Sequence, residues 1–456
     1  MTDSPPTAPH APPVAATGGN PLRRFLRATE IDTRLLGMIG ALALIWLGFE
    51  LYSILKLGRP SIFTGAASGD ATTFLTPRNL WNISVQTASV GIMACGMVLV
   101  IIARHIDLSV GSILGFTAMI MGITQVWVLP QWLGLGHPAI WVIACMVGIA
   151  LGTAIGAFHG WLVAYCAIPA FIVTLGGLMF WRGAAFLVAS GQTISPVDST
   201  FVLLGGGPYG AIGSVGSWIV CALACAGILW MLASGRKARQ SHGFPLRPVW
   251  AEGFMATVGC GLVIGATLVV NAYPWPIGTV REFAAANGLT VPEEGLVISH
   301  GFAIPVLILI AVGLVMTLMM SRTRFGRYVY AIGGNPDAAE LSGINTRAMT
   351  VRIFALMGFL AGLSAIVASA RLKNATNSLG ELDELYVIAA AVIGGTSLAG
   401  GVGTIYGAIL GALLMQSLQS GMVLIGFGDG SYQKMVVGAV LVLAVYLDIV
   451  YRKRVK

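Results

Sequence analysis

The sequence predicts an all-α, polytopic membrane protein with about 10–12 transmembrane helices, some of them short or broken, and one short capped helix on the cytoplasmic side. Three observations predict it. Of the 456 residues, 56% are apolar and only 10% are charged, whereas soluble domains carry about 25% charged residues. The apolar residues fall into runs near the roughly 20 residues that a spanning helix needs. Finally, 17 of the 26 Lys and Arg residues sit in four clusters, at 23–34, 236–247, 322–352 and 452–456, each flanking such a run.

Taken in order, spans are expected at 35–55, 80–103, 109–133, 139–167, 170–191, 214–233, 250–273, 301–320, 351–371, 385–402, 404–427 and 433–451. Twelve crossings return the chain to its starting side. The basic clusters place that side, with both termini, in the cytoplasm by the positive-inside rule. The outer loops 192–213 and 274–300 then hold a single cation, Arg281. Arg371 and Lys373 are the misfit, on the outer side beside Glu381, Asp383 and Glu384. Residues 1–34 combine a Pro-rich tail, expected to be disordered, with a basic juxtamembrane segment. The tail lacks the basic-then-apolar order of a signal peptide. Residues 35–451 form the transmembrane domain, and 452–456 are a basic cytoplasmic tail.

The same inventory excludes several functions. The net charge of +8 is spent on orientation, and no basic face interleaved with aromatics speaks for nucleic acid. The six cysteines lie inside apolar runs. Cys221 and Cys225 share a helix face without His or carboxylate, so they read as packing residues and no metal site is expected. His105, His137, His159 and His300 are scattered over different spans, which argues against a membrane-embedded enzyme. No lysine follows a glycine, so a G-x-x-x-x-G-K-[ST] phosphate loop is missing. Any ATP that drives this chain is bound by another polypeptide, with no cofactor on the chain itself. Only Glu50, Asp107, Glu252 and Asp448 lie in or near spans, each close to an end, whereas ion-coupled carriers place carboxylates at depth. Arg182 is the one cation expected deep.

What remains is a path for a neutral, hydroxylated solute. Asn82, Ser84, Gln86, Thr87, Thr174, Gln416 and Gln419 could hydrogen-bond a passing sugar, or could equally be satisfied between helices. Gly148-x-x-x-Gly152-x-x-x-Gly156 and Gly403-x-x-x-Gly407-x-x-x-Gly411 are ridges for close helix packing. Gly394, Gly395, Gly400 and Gly401 interrupt the short run 385–402, and broken helices border substrate paths in transporters. Val110-Gly111-Ser112-Ile113-Leu114-Gly115 recurs faintly as Val402-Gly403-Thr404-Ile405-Tyr406-Gly407.

Loop 321–350 encodes a short helix in detail. Asn335 suits an N-cap, Pro336 the first helical position, Asp337 the positive end of the dipole, and Gly343 the left-handed position past the end. A rigid helix of about seven residues outside the membrane is something a partner protein can push.

Three motifs carry a resemblance. Ile106-Asp107-Leu108-Ser109-Val110-Gly111-Ser112, Gly394-Gly395-Thr396-Ser397-Leu398-Ala399-Gly400-Gly401-Val402-Gly403-Thr404, and Ala331-Ile332-Gly333-Gly334-Asn335-Pro336 through Ser342-Gly343-Ile344 resemble, in order, the ribose/xylose/arabinose-type permeases of ATP-binding-cassette sugar importers. The added stretch 236–300, with its extra span, looks most like the D-xylose permeases. The resemblance implies a plasma (inner) membrane subunit that pairs with a second permease copy. It also implies a cytoplasmic ATPase that uses ATP and Mg, and an extracytoplasmic sugar-binding protein. Asn335, Pro336, Asp337, Ala339, Glu340, Ser342 and Gly343 then couple to the ATPase. Asn82, Gln86, Asp107, Ser109, Gly111, Ser112, Gly394, Gly395, Thr396, Gly400 and Gly401 are candidates for the translocation path. The sequence departs at Arg104-His105, where relatives often carry glycines. The competing reading is a twelve-helix, ion-coupled carrier. Arg324-Phe325-Gly326-Arg327 is superficially similar to the loop motif of that group, but it lacks the preceding acidic residue and follows the eighth span.

Overall fold

A computed structural model describes residues 25–26, 28–30, 32–57, 74–288, 296–427 and 430–455. The Pro-rich tail therefore lies outside the described residues. In chain order the helices are α1 (Thr33–Leu57), α2 (Pro77–Ile102), α3 (Val110–Ile123, continued through a π-turn to Leu133), α4 (Ala139–Tyr165), α5 (Ala170–Leu187), α6 (Ser199–Leu203), α7 (Gly213–Ser241), α8 (Val249–Asn271), α9 (Ile277–Ala286), α10 (Ile304–Arg322), α11 (Arg324–Gly334), α12 (Pro336–Leu341), α13 (Thr346–Leu372), α14 (Asp383–Ile393), α15 (Ile405–Leu424) and α16 (Gly430–Val455). No β-strand occurs among the described residues.

Ten of these helices are long and apolar enough to cross a membrane: α1 to α5, α7, α8, α10, α13 and α15. They fall on ten of the twelve expected spans, and α16 falls on the last. The expected span 385–402 is corrected. Its helix, α14, ends at Ile393. Eleven residues at 1.5 Å each rise about 16 Å, half the hydrocarbon thickness. Gly394 closes α14, and Gly395, Gly400 and Gly401 follow at φ +85°, +85° and +75°, a left-handed backbone that only glycine adopts freely.

Ahead of α14 the chain runs without helix from 373 to 382 along α3. Gly111, Gly115 and Gly122 of α3 form the groove that holds it. A Cβ on these glycines would strike Gly380 and Glu384, Leu379, and Ala375, respectively. Non-helical backbone at membrane depth needs partners from the protein, and it finds them. Arg182 donates to the carbonyls of Asn377 and Leu379, both at 2.9 Å. Ala375 and Ile194 exchange backbone hydrogen bonds at 3.0 and 2.9 Å. The depth expected of Arg182 is explained: it is a clamp on backbone.

Helices in lipid associate by close packing, without the hydrophobic drive available in water. In the ridge, Gly152 and Gly156 lie against the α13 backbone at Phe354, Gly358 and Gly362, with no room for a side chain, while a side chain on Gly148 would meet Met121 of α3. The second ridge behaves alike, with Gly407 on Gly394 and Gly411 on Ala390. The centre of the fold is α2, 94% buried over its most apolar stretch.

The hairpin α7–α8 is peripheral, with few buried residues. It is tied down at both ends. Ser217 Oγ accepts from the Phe302 amide at 2.9 Å. Near the loop between the two helices, Arg236 pairs with Glu252 at 2.8 Å. Glu30, ahead of α1, pairs with Arg239 at 2.7 Å and Arg247 at 2.6 Å. Hydrogen bonding, first to Arg239 and then to Arg247, lowers the Glu30 carboxyl from 4.5 to about 2. Its contribution is therefore complete above about pH 4.5 and is lost as pH falls towards 2. The pairs are exposed, so the clamp contributes no more than about 1 kcal/mol. Glu30→Gln should release residues 25–26 and 28–30 at neutral pH, read as faster amide exchange there. The global melting temperature should hardly change.

Candidate functional site

Two cavities open on the face away from α12. One, of about 350 Å³, is lined by Gln86, Arg371, Asp383, Gln416 and Gln419 among others. The second, of about 190 Å³, adds Asn82, Trp81 and Lys373, and shares Gln86 and Arg371 with the first. The path candidates Asn82 and Gln86 thus face open space, as do Gln416 and Gln419. The other polar candidates are satisfied locally. Ser84, Thr87 and Thr174 donate to carbonyls of their own helices, at Trp81 (2.7 Å), Ile83 (2.7 Å) and Ala170 (2.9 Å).

The acidic residues near α14 need a correction. Asp383 and Glu384, expected in an outer loop, open α14 below the re-entrant stretch. Asp383 lines the larger cavity. Glu384 is 6% exposed, with Oε2 unpartnered among the described residues. Sequence reasoning missed them because charges before a short apolar run read as loop. The available signal was the small-residue pair Gly111 and Gly115 on α3, which announces a backbone approaching closely.

Asp107, Ser109, Gly111 and Ser112 line neither cavity. They belong to a buried chain of hydrogen bonds between the start of α3 and helices α4 and α5. Trp181 Nε1 donates to His159 Nε2 at 3.0 Å, which places the proton of a neutral imidazole on Nδ1. Nδ1 then donates to Ser109 Oγ at 3.2 Å, and Ser109 Oγ donates to Asp107 Oδ1 at 2.5 Å. Ser109 also donates its backbone N–H to Asp107 Oδ1 at 2.8 Å. Ser112 Oγ donates to the Ser109 carbonyl at 2.8 Å, and Gly111 packs on the re-entrant stretch.

Gly400 and Gly401 meet the end of α11, just ahead of α12, whereas Gly394 packs on Gly407 of α15. Loop 321–350 holds one helix more than expected, the amphipathic α11. Thr323 caps it, and it buries Gly326, Val329, Ile332 and Gly333. At its end, Gly333 packs on the Ile102 carbonyl and beside Gly401, with no space for a Cβ. Gly401 N–H donates to the Ile102 carbonyl at 3.0 Å. Tyr330 Oη donates to the Gly403 carbonyl at 2.8 Å. Arg104 donates to the carbonyls of Gly333 (2.8 Å) and Gly334 (2.7 Å). Arg104 sits at φ +65°, a left-handed conformation that glycine adopts without strain. This explains the departure noted at that position: the arginine accepts strain of about 1 kcal/mol or more and gains two hydrogen bonds to the α11 terminus. Thr396 lies inside this turn, fully buried, with Oγ1 unpartnered among the described residues.

The capping read from the sequence is present in α12. Asn335 Oδ1 accepts from Ala338 N at 3.1 Å. Pro336 occupies the first turn, and Asp337 lies in it. Ser342 closes the helix, its Oγ donating to the Ala338 carbonyl at 2.7 Å. Gly343 follows at φ +82°. Ala339 faces inward, whereas Asp337, Glu340 and Leu341 face solvent, Leu341 at 91% exposure. A surface hollow of about 450 Å³ follows α12, lined by Glu340, Gly343, Ile344, Asn345, Thr346 and Arg347.

With this geometry in place, the chain can be compared with known proteins. The model of the family described as branched-chain amino acid transport system / permease component matches residues 79–237 and 244–445. The chain belongs to this permease family. It is 35% identical over 394 residues to the xylose transport system permease protein XylH of Haemophilus influenzae, covering 86% of this chain and 94% of that protein. To XylH of Escherichia coli K12 it is 37% identical over 392 residues, covering 86% and 89%. To the ribose import permease protein RbsC of Escherichia coli K12 it is 33% identical over 376 residues, covering 82% and 87%. No solved structure matched the chain. The resemblance read from the three motifs is therefore correct at the level of family, and the membrane-embedded architecture described above is that of a permease.

Proposed function

We propose that this permease is the membrane subunit of an ATP-driven, binding-protein-dependent importer of D-xylose or a related aldose. The observation that carries the reading is the continuous connection from α12, through the end of α11 and Ile102, to the glycine turn that ends the broken span. In this reading α12 and the hollow behind it receive a cytoplasmic ATPase, which alone binds ATP and Mg. Two permease copies assemble in the inner membrane with both termini cytoplasmic. An extracytoplasmic binding protein delivers sugar to the cavity face. Motion of α12 is passed to Gly400 and Gly401, and through them to α14 and α15, switching access from one side to the other. The work comes from the ATPase dimer binding the two states unequally. The xylose assignment draws on the names of the relatives and on the added span α8.

One observation favours the ion-coupled alternative: the buried Glu384 and the half-buried, cavity-lining Asp383 are carboxylates of the kind a proton-coupled carrier would need. Uptake of labelled xylose decides between the two. Cells lacking this chain should lose uptake, and the wild-type chain should restore it. A protonophore added to ATP-loaded vesicles should leave uptake intact, whereas depletion of ATP should abolish it. The opposite pattern establishes the carrier. Intact uptake in the deleted cells removes xylose as the substrate.

A further inference from the structure

We propose that the 350 Å³ chamber is a transit site for one neutral aldopyranose, with Gln416 as its deep recognition group. This deepens the proposed function and rests on that reading.

The volume is at the small end of ligand pockets, roughly 300–1,000 Å³, and suits a monosaccharide rather than a disaccharide. Gln416 is 5% exposed and lines the chamber. Among the described residues, neither its amide nor that of the neighbouring Gln86 has a hydrogen-bond partner. The buried Gln416 on α15 and the half-buried Gln86 on α2 line one cavity from different helices, and both amides are open to the hydroxyls of a solute. An amide offers both two donors and a carbonyl acceptor, which matches hydroxyls that donate and accept at once.

The charged lining narrows the class. Arg371 and Asp383 both line the chamber, yet no ion pair joins them at 4.0 Å or less. A guanidinium can donate to two adjacent oxygens, and a carboxylate can accept from two adjacent hydroxyls. Vicinal diols satisfy both. Two carboxylates, Asp383 and the exposed Glu381, oppose one guanidinium here. A negatively charged sugar acid is therefore disfavoured.

The test uses the full chain in cells lacking it, with membrane level measured for each variant. Gln416→Leu should insert normally and lower the maximal rate of xylose uptake about tenfold or more. The half-saturating concentration, which the delivery protein sets, should move little. Gln416→Asn, which keeps the amide, should retain most of the rate. A sugar acid in excess should not compete with xylose. An inserted Gln416→Leu that transports at the wild-type rate overturns the proposal. If Gln416→Leu fails to insert, Gln86→Leu, half-buried on α2, is held to the same criterion. Failure of the wild-type chain to restore any sugar uptake instead rejects the importer reading itself.

Discussion

Gly156→Leu is expected to leave no folded permease in the membrane. At the α4–α13 crossing a Cβ on Gly156 would meet the Phe354 carbonyl oxygen and the Gly358 backbone. These are main-chain atoms, which cannot swing aside. Gly152 and Gly358 face each other's main chains in the same way. Leu would push the helices apart along a face where α13 buries Ile353, Phe354, Met357 and Ala361. Overpacking by a few methylenes costs about 1–3 kcal/mol even where repacking is possible, and here nothing can repack. A loss above about 3 kcal/mol would consume much of the roughly 5–15 kcal/mol that holds a protein folded. Size-exclusion profiles of fluorescent fusions should lose the monodisperse peak. Gly227→Leu is the control, since that glycine on α7 has open space around it, and its profile should match the wild type.

Gly333→Val is expected to leave the protein inserted and to impair transport severely. A Cβ at Gly333 would fall on the Ile102 carbonyl. The α11 terminus would have to lift, breaking the bonds from Arg104 to Gly333 and Gly334 and exposing the bond between Gly401 and Ile102. Hydrogen bonds from a charged donor contribute about 1.5–3 kcal/mol each, so the connection should weaken by about one such bond or more. Xylose uptake should fall about 30-fold or further. Gly334→Ala, one residue on and in open space, should transport nearly as the wild type does.

What could be read in the sequence is what local chemistry encodes. Asn335, Pro336 and Gly343 specify α12 within nine residues, and the structure shows the helix they describe. The glycine ridges of α4 and α15 were legible because small-residue spacing has one main use in lipid. The re-entrant stretch was not legible. Its backbone is satisfied by Arg182 on α5 and held by the groove of α3, both far away in the chain. Without that groove, Asp383 and Glu384 read as outer-loop charges, and they are not. The helix α11 was hidden for another reason. Its residues Arg324, Arg327 and Tyr328 are exposed or polar, so the segment resembles a loop until the buried face is seen. Asp107 and Ser109 show the converse. The motif that contains them marks the family, but here they fasten α3 to His159 and leave the cavities to amides on α2 and α15.

The most direct test of the central claim, that α12 passes motion to the broken span, is xylose uptake by Gly343→Pro with its membrane level verified. Gly343 sits at φ +82° and its N–H donates to the Glu340 carbonyl at 2.9 Å. Proline fixes φ near −65° and has no N–H, so the end of α12 must come undone while the spans are untouched. The expected result is a normally inserted protein that restores no uptake to cells lacking the chain. Wild-type uptake by the inserted variant would contradict the claim.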